Sequence, residues 1–314
     1  MANSSLITHH SSLKTPVLFL VFNRPDHTAA VLARLREIAP QKLYIHADGA
    51  RSGRAGEAEK VAAVRAELSK IDWPCEVKTL FRDKNMGLRE GVSDALNWFF
   101  GQEERGIVLE DDCVPDASFF SFCEAMLCEY ADDEQVMHIS GSNLAEAATR
   151  DLPESFLFSK FALVWGWASW RRAWQKMSLD LDGLEDFLRT ENWSEFLPDP
   201  KSRAYMADKF WVTKRRENQS WAYAWQYSVL KNNGLCLLPK VNLVENVGIG
   251  SADATNTKAK NRKAGLRAGH LDEPFVSPIG KSRDLDLEQR VFHVYQKSRP
   301  QLWRWHWLKK LGLR

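Results

Sequence analysis

Gly106-Ile107-Val108-Leu109-Glu110-Asp111-Asp112 is the stretch on which the reading of this chain turns. A short apolar run passes into three consecutive carboxylates, the pattern of a buried strand that meets a site at its carboxyl edge. Adjacent carboxylates repel and raise one another's pKa, so a cation is their natural partner. Hard oxygen ligands favour Mg2+ or Mn2+, ions that often keep positions open for substrate phosphates. An isolated Glu-Asp-Asp is more often an exposed acidic turn. Here the apolar run precedes it, and Phe119, Phe120 and Phe122 follow at helical spacing. That context makes Glu110, Asp111 and Asp112 a candidate metal and nucleotide centre.

Upstream, Pro16 to Phe22 reads as a buried first strand that ends at Asn23-Arg24-Pro25-Asp26. Val31, Leu32, Leu35 and Ile38 then mark one face of a helix. Leu43 to Asp48 is a second strand, Gly49 to Gly56 a basic loop, and Val61, Val64, Leu68 and Ile71 stay in helical register. A strand from Val77 to Phe81 and a helix from Leu88 to Phe100 lead into the acidic strand. Strands alternating with helices force parallel crossovers, so the fold class is α/β, with helices on both faces of the sheet. Ligands of such sheets sit outside the carboxyl ends of the strands, where Asn23, Arg24, Asp48 and the three acids all fall. Taken singly, Arg24 could be a surface ion pair, but a fixed charge beside a helix start suits a diphosphate. Asp48 before Gly49 could be ordinary turn chemistry. Asn85-Met86-Gly87-Leu88 is either a helix cap or a backbone turn beside the nucleotide. No G-x-G-x-x-G follows the first strand, which argues against a dinucleotide.

The set FNRPD, HADG, NMGLREG and VLEDD-CVPDASFF, over roughly residues 16–257, resembles the GT-A type nucleotide-sugar glycosyltransferases. The likeness is greatest to the Golgi N-acetylglucosaminyltransferases that initiate complex N-glycans and to a group of bacterial glycosyltransferase-like proteins. The resemblance implies a Rossmann-like sheet with an acceptor-binding C-terminal half. It also implies that Arg24 contacts the donor diphosphate, that Asp48 reads the uracil of a UDP-sugar, and that Asp112 binds the metal. Glu110 and Asp111 would then face ribose and sugar, and an aromatic-glycine-tryptophan element, here Trp165 and Trp167, would line donor sugar and acceptor.

In the second half, Phe156 to Val164 is strand-like and leads into Trp165-Gly166-Trp167-Ala168-Ser169-Trp170. Trp167, Trp170 and Trp174 have helical spacing and could simply pack. Trp165 and Trp167 flank a glycine, where a ring can be offered to a ligand. Arg203 to Glu217 and Trp221 to Asn232 read as helices, and Gly234 to Pro239 as a strand. Val247 to Thr257 resembles a signature of the bacterial group. The basic run Lys258, Lys260, Arg262, Lys263 and Arg267 is either a solvated loop or one that closes over the diphosphate. Trp303, Trp305 and Trp307 alternate among Lys309, Lys310 and Arg314, which suits a strand or an interfacial segment better than a helix stripe.

The chain of 314 residues divides into a polar tail (1–14), a nucleotide-sugar-binding half (15–150), an acceptor and catalytic half (151–280) and a basic, Trp-rich segment (281–314). A net charge of +2 gives no sign of a nucleic-acid partner. Five cysteines without metal-ligand spacing suggest free thiols, with Cys123 and Cys128 facing a core. No signal peptide or membrane span is evident, so a cytoplasmic chain is expected, with peripheral membrane contact through its last segment.

These features point to a metal-dependent inverting glycosyltransferase using Mn2+ or Mg2+ and acting on a glycan or lipid-linked hydroxyl; inversion is implied by the resemblance alone. The alternatives are a sugar nucleotidyltransferase and a non-catalytic sugar-nucleotide-binding protein. Nucleotidyl transfer would call for a glycine-rich phosphate loop with a basic residue near the first strand, which is not found. The bacterial relatives suggest a catalytic base within Ser220 to Trp225, a segment without an acid. Glu217 is then the first candidate for the base, with Asp180 and Asp182 next.

Overall fold

A computed structural model of the chain describes residues 13–249, 266–296 and 298–312. The elements in order are β1 (Val17–Val21), α1 (Pro25–Ile38), β2 (Lys42–Ala47), α2 (Glu57–Leu68), β3 (Glu76–Phe81), α3 (Leu88–Gln102) and β4 (Arg105–Glu110). Then come β5 (Cys113–Pro115), α4 (Ala117–Glu129), β6 (Val136–Ser140), β7 (Phe156–Ser159), β8 (Trp167–Trp170) and α5 (Arg171–Trp174). The chain continues through α6 (Leu184–Phe187), α7 (Glu191–Ser194), α8 (Pro200–Lys214), α9 (Trp221–Lys231), β9 (Leu235–Pro239) and β10 (Val244–Asn246), and ends with α10 (Leu285–Tyr295) and α11 (Arg299–Lys310).

Eight strands form one sheet in the order β3-β2-β1-β4-β8-β6-β9-β7. β1 to β4 are mutually parallel, whereas β8 runs antiparallel between β4 and β6. The fold is therefore α/β and Rossmann-like. Strand order reverses at β1, which lies between β2 and β4, and this switch point is where such sheets open a crevice for ligands.

The alternation of β1 explains the layers. Val17, Phe19 and Val21 face one core with Val31, Leu35, Val64, Leu68 and the phenylalanines of α4. Leu18 and Leu20 face the other, with α3, Trp167, Trp174 and the tryptophans of α9. A strand buried on both sides has no polar face to show, hence its unbroken apolar run. A third cluster gathers α6 to α11 around Phe161, Phe196 and Phe210.

Four expectations change. The strand read from Phe156 to Val164 stops at Ser159. Cys128 is exposed while Cys123 is buried, and all five cysteines are free thiols. Trp167 opens strand β8 instead of a helix, so its neighbours are set by the sheet. The alternating tryptophans lie on a helix: Ser298 and Gln301 form a reciprocal capping box, and Pro300 occupies the first turn of α11.

Candidate functional site at the β1 and β4 edge

Register brings the acids to the switch point. Leu20 pairs with Glu110 across β1 and β4, so the residues after each strand emerge side by side. α1 begins at Pro25, and its entry places the Arg24 guanidinium between two carboxylates. It pairs with Asp111 and, at 2.9 Å, with Asp112. Burial alone would weaken Arg24's hold on its proton, but the two acids raise its pKa above the usual arginine value. Burial pushes the Asp111 carboxyl up to about 7 despite Arg24. Its Oδ2 atom is buried without a hydrogen-bond partner. Glu110 is pushed up in the same direction, first by burial and then by the charges of Asp112 and Asp111.

The small sheet of β5 and β10 leads the chain back to this pair. Asn246 lies opposite Cys113, and the Val247 amide donates to the Asp112 carbonyl at 2.9 Å. Gly248 follows in close approach to the pair: a Cβ there would stand 2.3 Å from Asp112 Oδ2 and 2.9 Å from Arg24 Nη1, so any side chain would displace them. Of the signature-like run from Val247 to Thr257, the residues from 250 onward fall outside the described residues, as do Lys258, Lys260, Arg262 and Lys263. Arg267 pairs with Glu245 at 2.8 Å.

Asp48 sits at the end of β2 with 8 % of its surface exposed. Its carboxylate accepts from the Gly49 amide (2.8 Å), the Asn85 side chain (2.9 Å), the Met86 amide (2.9 Å) and the Gly87 amide (3.2 Å). Those donors fill its acceptor capacity, so here Asp48 anchors the turn into α3 at the end of β2. Asn23 donates to Glu57 at 3.1 Å, and Arg51 holds that acid down at about 2.

The remaining candidates lie elsewhere. Trp167 has no exposed surface and packs among His138, Trp174, Trp221 and Trp225, with the His138 ring stacked at 5.1 Å. A ring so enclosed cannot line an acceptor without unpacking the core, which corrects the expectation from the tryptophan-glycine-tryptophan element. Trp165 is half-buried between two core clusters. Asp180 is paired with Arg89 at 2.7 Å and Arg216 at 3.0 Å, and Arg216 foremost holds its carboxyl low. Asp182 is exposed and accepts from Ser178 at 2.9 Å. Glu217 is exposed, paired with Arg215, and borders a hollow between α8 and α11 beside Tyr205, Trp305 and Lys309.

Two neighbours escaped sequence reading. Asn246 approaches Asp112 Oδ1 at 3.4 Å. Tyr295, at the end of α10, is raised to about 12 by burial and then by the charge of Glu110. Nothing in the apolar periodicity of α10 marks Tyr295; only tertiary packing brings it within reach of the Glu110 charge.

Among the described residues no group of three or more His, Cys, Asp or Glu side chains converges on a metal position. The edge still offers hard oxygens, Asp112 and the unpartnered Asp111 Oδ2. Those fit an ion held by one or two carboxylates and completed by phosphate oxygens and water, as Mg2+ is commonly held.

No protein-family model matches the chain, and no curated protein matches its sequence. Among solved structures, it resembles a protein assigned as a glucose-1-phosphate thymidylyltransferase from Bacillus anthracis, in complex with a sucrose. That likeness covers 52 % of this chain and 74 % of the other, at 8 % identity and a TM-score of 0.31. A UDP-glucose pyrophosphorylase complexed with UDP-glucose is similar over 47 % of this chain and 58 % of its own, at 11 % identity and a TM-score of 0.22. At these scores neither likeness decides an activity. The class rests on the sheet itself: an α/β, Rossmann-like protein with a cluster of charged side chains at its switch point.

Proposed function

We propose that the chain is a transferase that binds a nucleotide sugar across the carboxyl ends of β1 and β4. The observation that carries this reading is Arg24, held between Asp111 and Asp112 at the switch point. A guanidinium there can receive a diphosphate, with the carboxylates free to hold a divalent ion once the guanidinium turns away. Mn2+ or Mg2+ bound there would offset charge on the departing diphosphate. Asp48 keeps the β2 edge and the turn at Asn85 to Gly87 in shape beneath the nucleotide.

Two chemistries suit this edge. Transfer of the sugar to a glycan or lipid-linked hydroxyl agrees with the GT-A resemblance and with the short link from β1 to α1. That link, Phe22 to Arg24, holds no glycine-rich loop for a triphosphate. Sugar nucleotidyl transfer is the activity after which both solved structures are named. It also needs no hydroxyl base, since the attacking sugar phosphate is already an anion. Of the acids singled out for that base, Asp180 and Glu217 are neutralised by arginines and Asp182 is turned to solvent.

The deciding experiment incubates the protein with a panel of UDP- and dTDP-sugars and, separately, with sugar 1-phosphates and nucleoside triphosphates, each with Mn2+. Transfer or hydrolysis of sugar supports the first chemistry and pyrophosphate release the second. Nucleotide-sugar binding without either leaves a binding protein. No binding at all overturns the proposal.

A further inference from the structure

The outer face of α11 is unlike the rest of the surface. The helix turns Leu302 and Trp305 inward, with Trp305 edge-on to Tyr205 at 5.1 Å and Lys309 paired with Asp208 at 2.5 Å. The opposite face presents Trp303 (62 % exposed), Trp307 (52 %) and Leu311 (52 %), spaced four residues apart and hence stacked along one stripe. At 100° per residue, Arg299 and Lys310 fall on one side of this stripe and Arg304 on the other. No ion pair engages those three among the described residues, and the sequence from Ser298 to Gly312 contains no acid.

An exposed apolar stripe between unpaired cations needs a partner that is both greasy and anionic. A second copy of this chain suits it poorly. A two-fold contact would set the same arginines and lysine against themselves, and stable interfaces bury about 800 Å² per partner, far more than three side chains supply. Tryptophan instead favours the boundary between headgroups and acyl chains, where its ring is buried and its N–H stays wet. No described helix is long and apolar enough to cross a membrane, so contact would be lateral.

We propose that α11 is an interfacial helix that seats the protein on an anionic bilayer, with Trp303, Trp307 and Leu311 entering the headgroup boundary and Arg299, Arg304 and Lys310 pairing with lipid phosphates. In sequence this helix follows α10, which ends at Tyr295. The proposed seat lies on α11 alone. It does not depend on which transfer the site performs, since binding a bilayer requires no nucleotide.

The test is co-sedimentation of the full chain with vesicles of phosphatidylcholine alone or of phosphatidylcholine mixed with the anionic lipid phosphatidylglycerol. The full chain should sediment with the anionic vesicles and release at about 0.5 M salt, where screening is nearly complete. Trp303→Ala with Trp307→Ala should lower the partition coefficient about tenfold or more, as loss of two boundary anchors should. Arg304→Glu with Lys310→Glu should do so by a similar factor through charge alone, and covers the case in which the tryptophan pair folds poorly. Equal sedimentation of all variants, or none by the wild type, overturns the proposal. Self-association on a sizing column that the tryptophan pair abolishes, without vesicle binding, assigns the face to a second copy instead.

Discussion

Two neighbouring regions of the sheet treat buried polarity in opposite ways. Val108 of β4 pairs with Trp167 of β8, and behind that pair lies a buried aromatic cluster; two residues further along the same strand stands Glu110. In the cluster, His138 has no exposed surface, yet its Nδ1 accepts from Trp225 Nε1 at 3.2 Å and its Nε2 meets the Leu163 carbonyl at 3.0 Å. Burial drives its pKa down to about 3, so it is a neutral, fully used ring. Trp167 Nε1 is the one group of that pair left unpartnered, and it carries no charge. At the edge the unmet groups are carboxylates: Asp111 keeps one oxygen without a partner, and burial lifts it and Glu110 well above ordinary acids. A neutral group satisfied by the protein is architecture. A charge that the protein buries and leaves partly unmet is what a ligand can complete.

The sharpest way to break this contrast is Trp167→Ala. Emptying that position should cost about 3–5 kcal/mol in chemical denaturation, with UDP affinity of the remaining folded protein unchanged. Loss of affinity at full stability would instead make Trp167 a ligand-facing ring. Asp112→Asn should act in the opposite sense, with calorimetric Mn2+-dependent UDP affinity falling about 100-fold, or 2.7 kcal/mol, at an unchanged melting temperature. Unchanged affinity would remove Asp112 from the site.

His138 tests the architectural side by pH. Its folded pKa lies below the ordinary value, so the unfolded chain takes up a proton first as pH falls through about 6.5. Stability from this residue should then decline by up to about 1.4 kcal/mol per pH unit, or about 1.6 kcal/mol between pH 6.5 and 5. His138→Gln should flatten that limb relative to the wild type in denaturation series; parallel curves would mean that His138 is not buried as a neutral ring.

Asp48→Ala should free the turn at Asn85 to Gly87 and weaken UDP and GDP by the same factor, about 1–2 kcal/mol, because the carboxylate spends its oxygens on protein donors. A loss confined to uridine nucleotides would restore Asp48 as a base reader. The smallest effect is expected of Glu217→Gln, with turnover altered by less than about threefold, since its exposed pairing with Arg215 makes it a weak base. A 100-fold fall would return it to the reaction.

Much of this was legible from local pattern, and the failures share a cause. β1 and the Ile107 to Leu109 part of β4 were readable because unbroken apolar runs admit few alternatives, and β2 because His46 alone interrupts its run from Leu43 to Ala47; α/β alternation then sends their ends to one edge. The tail misled for a subtler reason. Trp303, Trp305 and Trp307 alternate as in a strand, yet the cap at Ser298 and Gln301 and the proline at 300 already argued for a helix. Once helical, the alternation splits, with Trp305 against α8 and the other two outward.

What the sequence determined by itself was therefore the parallel half of the sheet and the gathering of Asn23, Arg24, Asp48 and the three acids at its carboxyl edge. Local periodicity and the handedness of crossovers suffice for that. Only the tertiary structure decided how each group spends its bonding capacity: Asp48 on a turn, Arg24 on two carboxylates, Glu217 on Arg215, Trp167 on a histidine and three tryptophans. Those partners lie up to 88 residues apart along the chain in the case of Arg24 and Asp112. No local pattern encodes such distances, because burial and pairing depend on which distant segment arrives to cover each side chain.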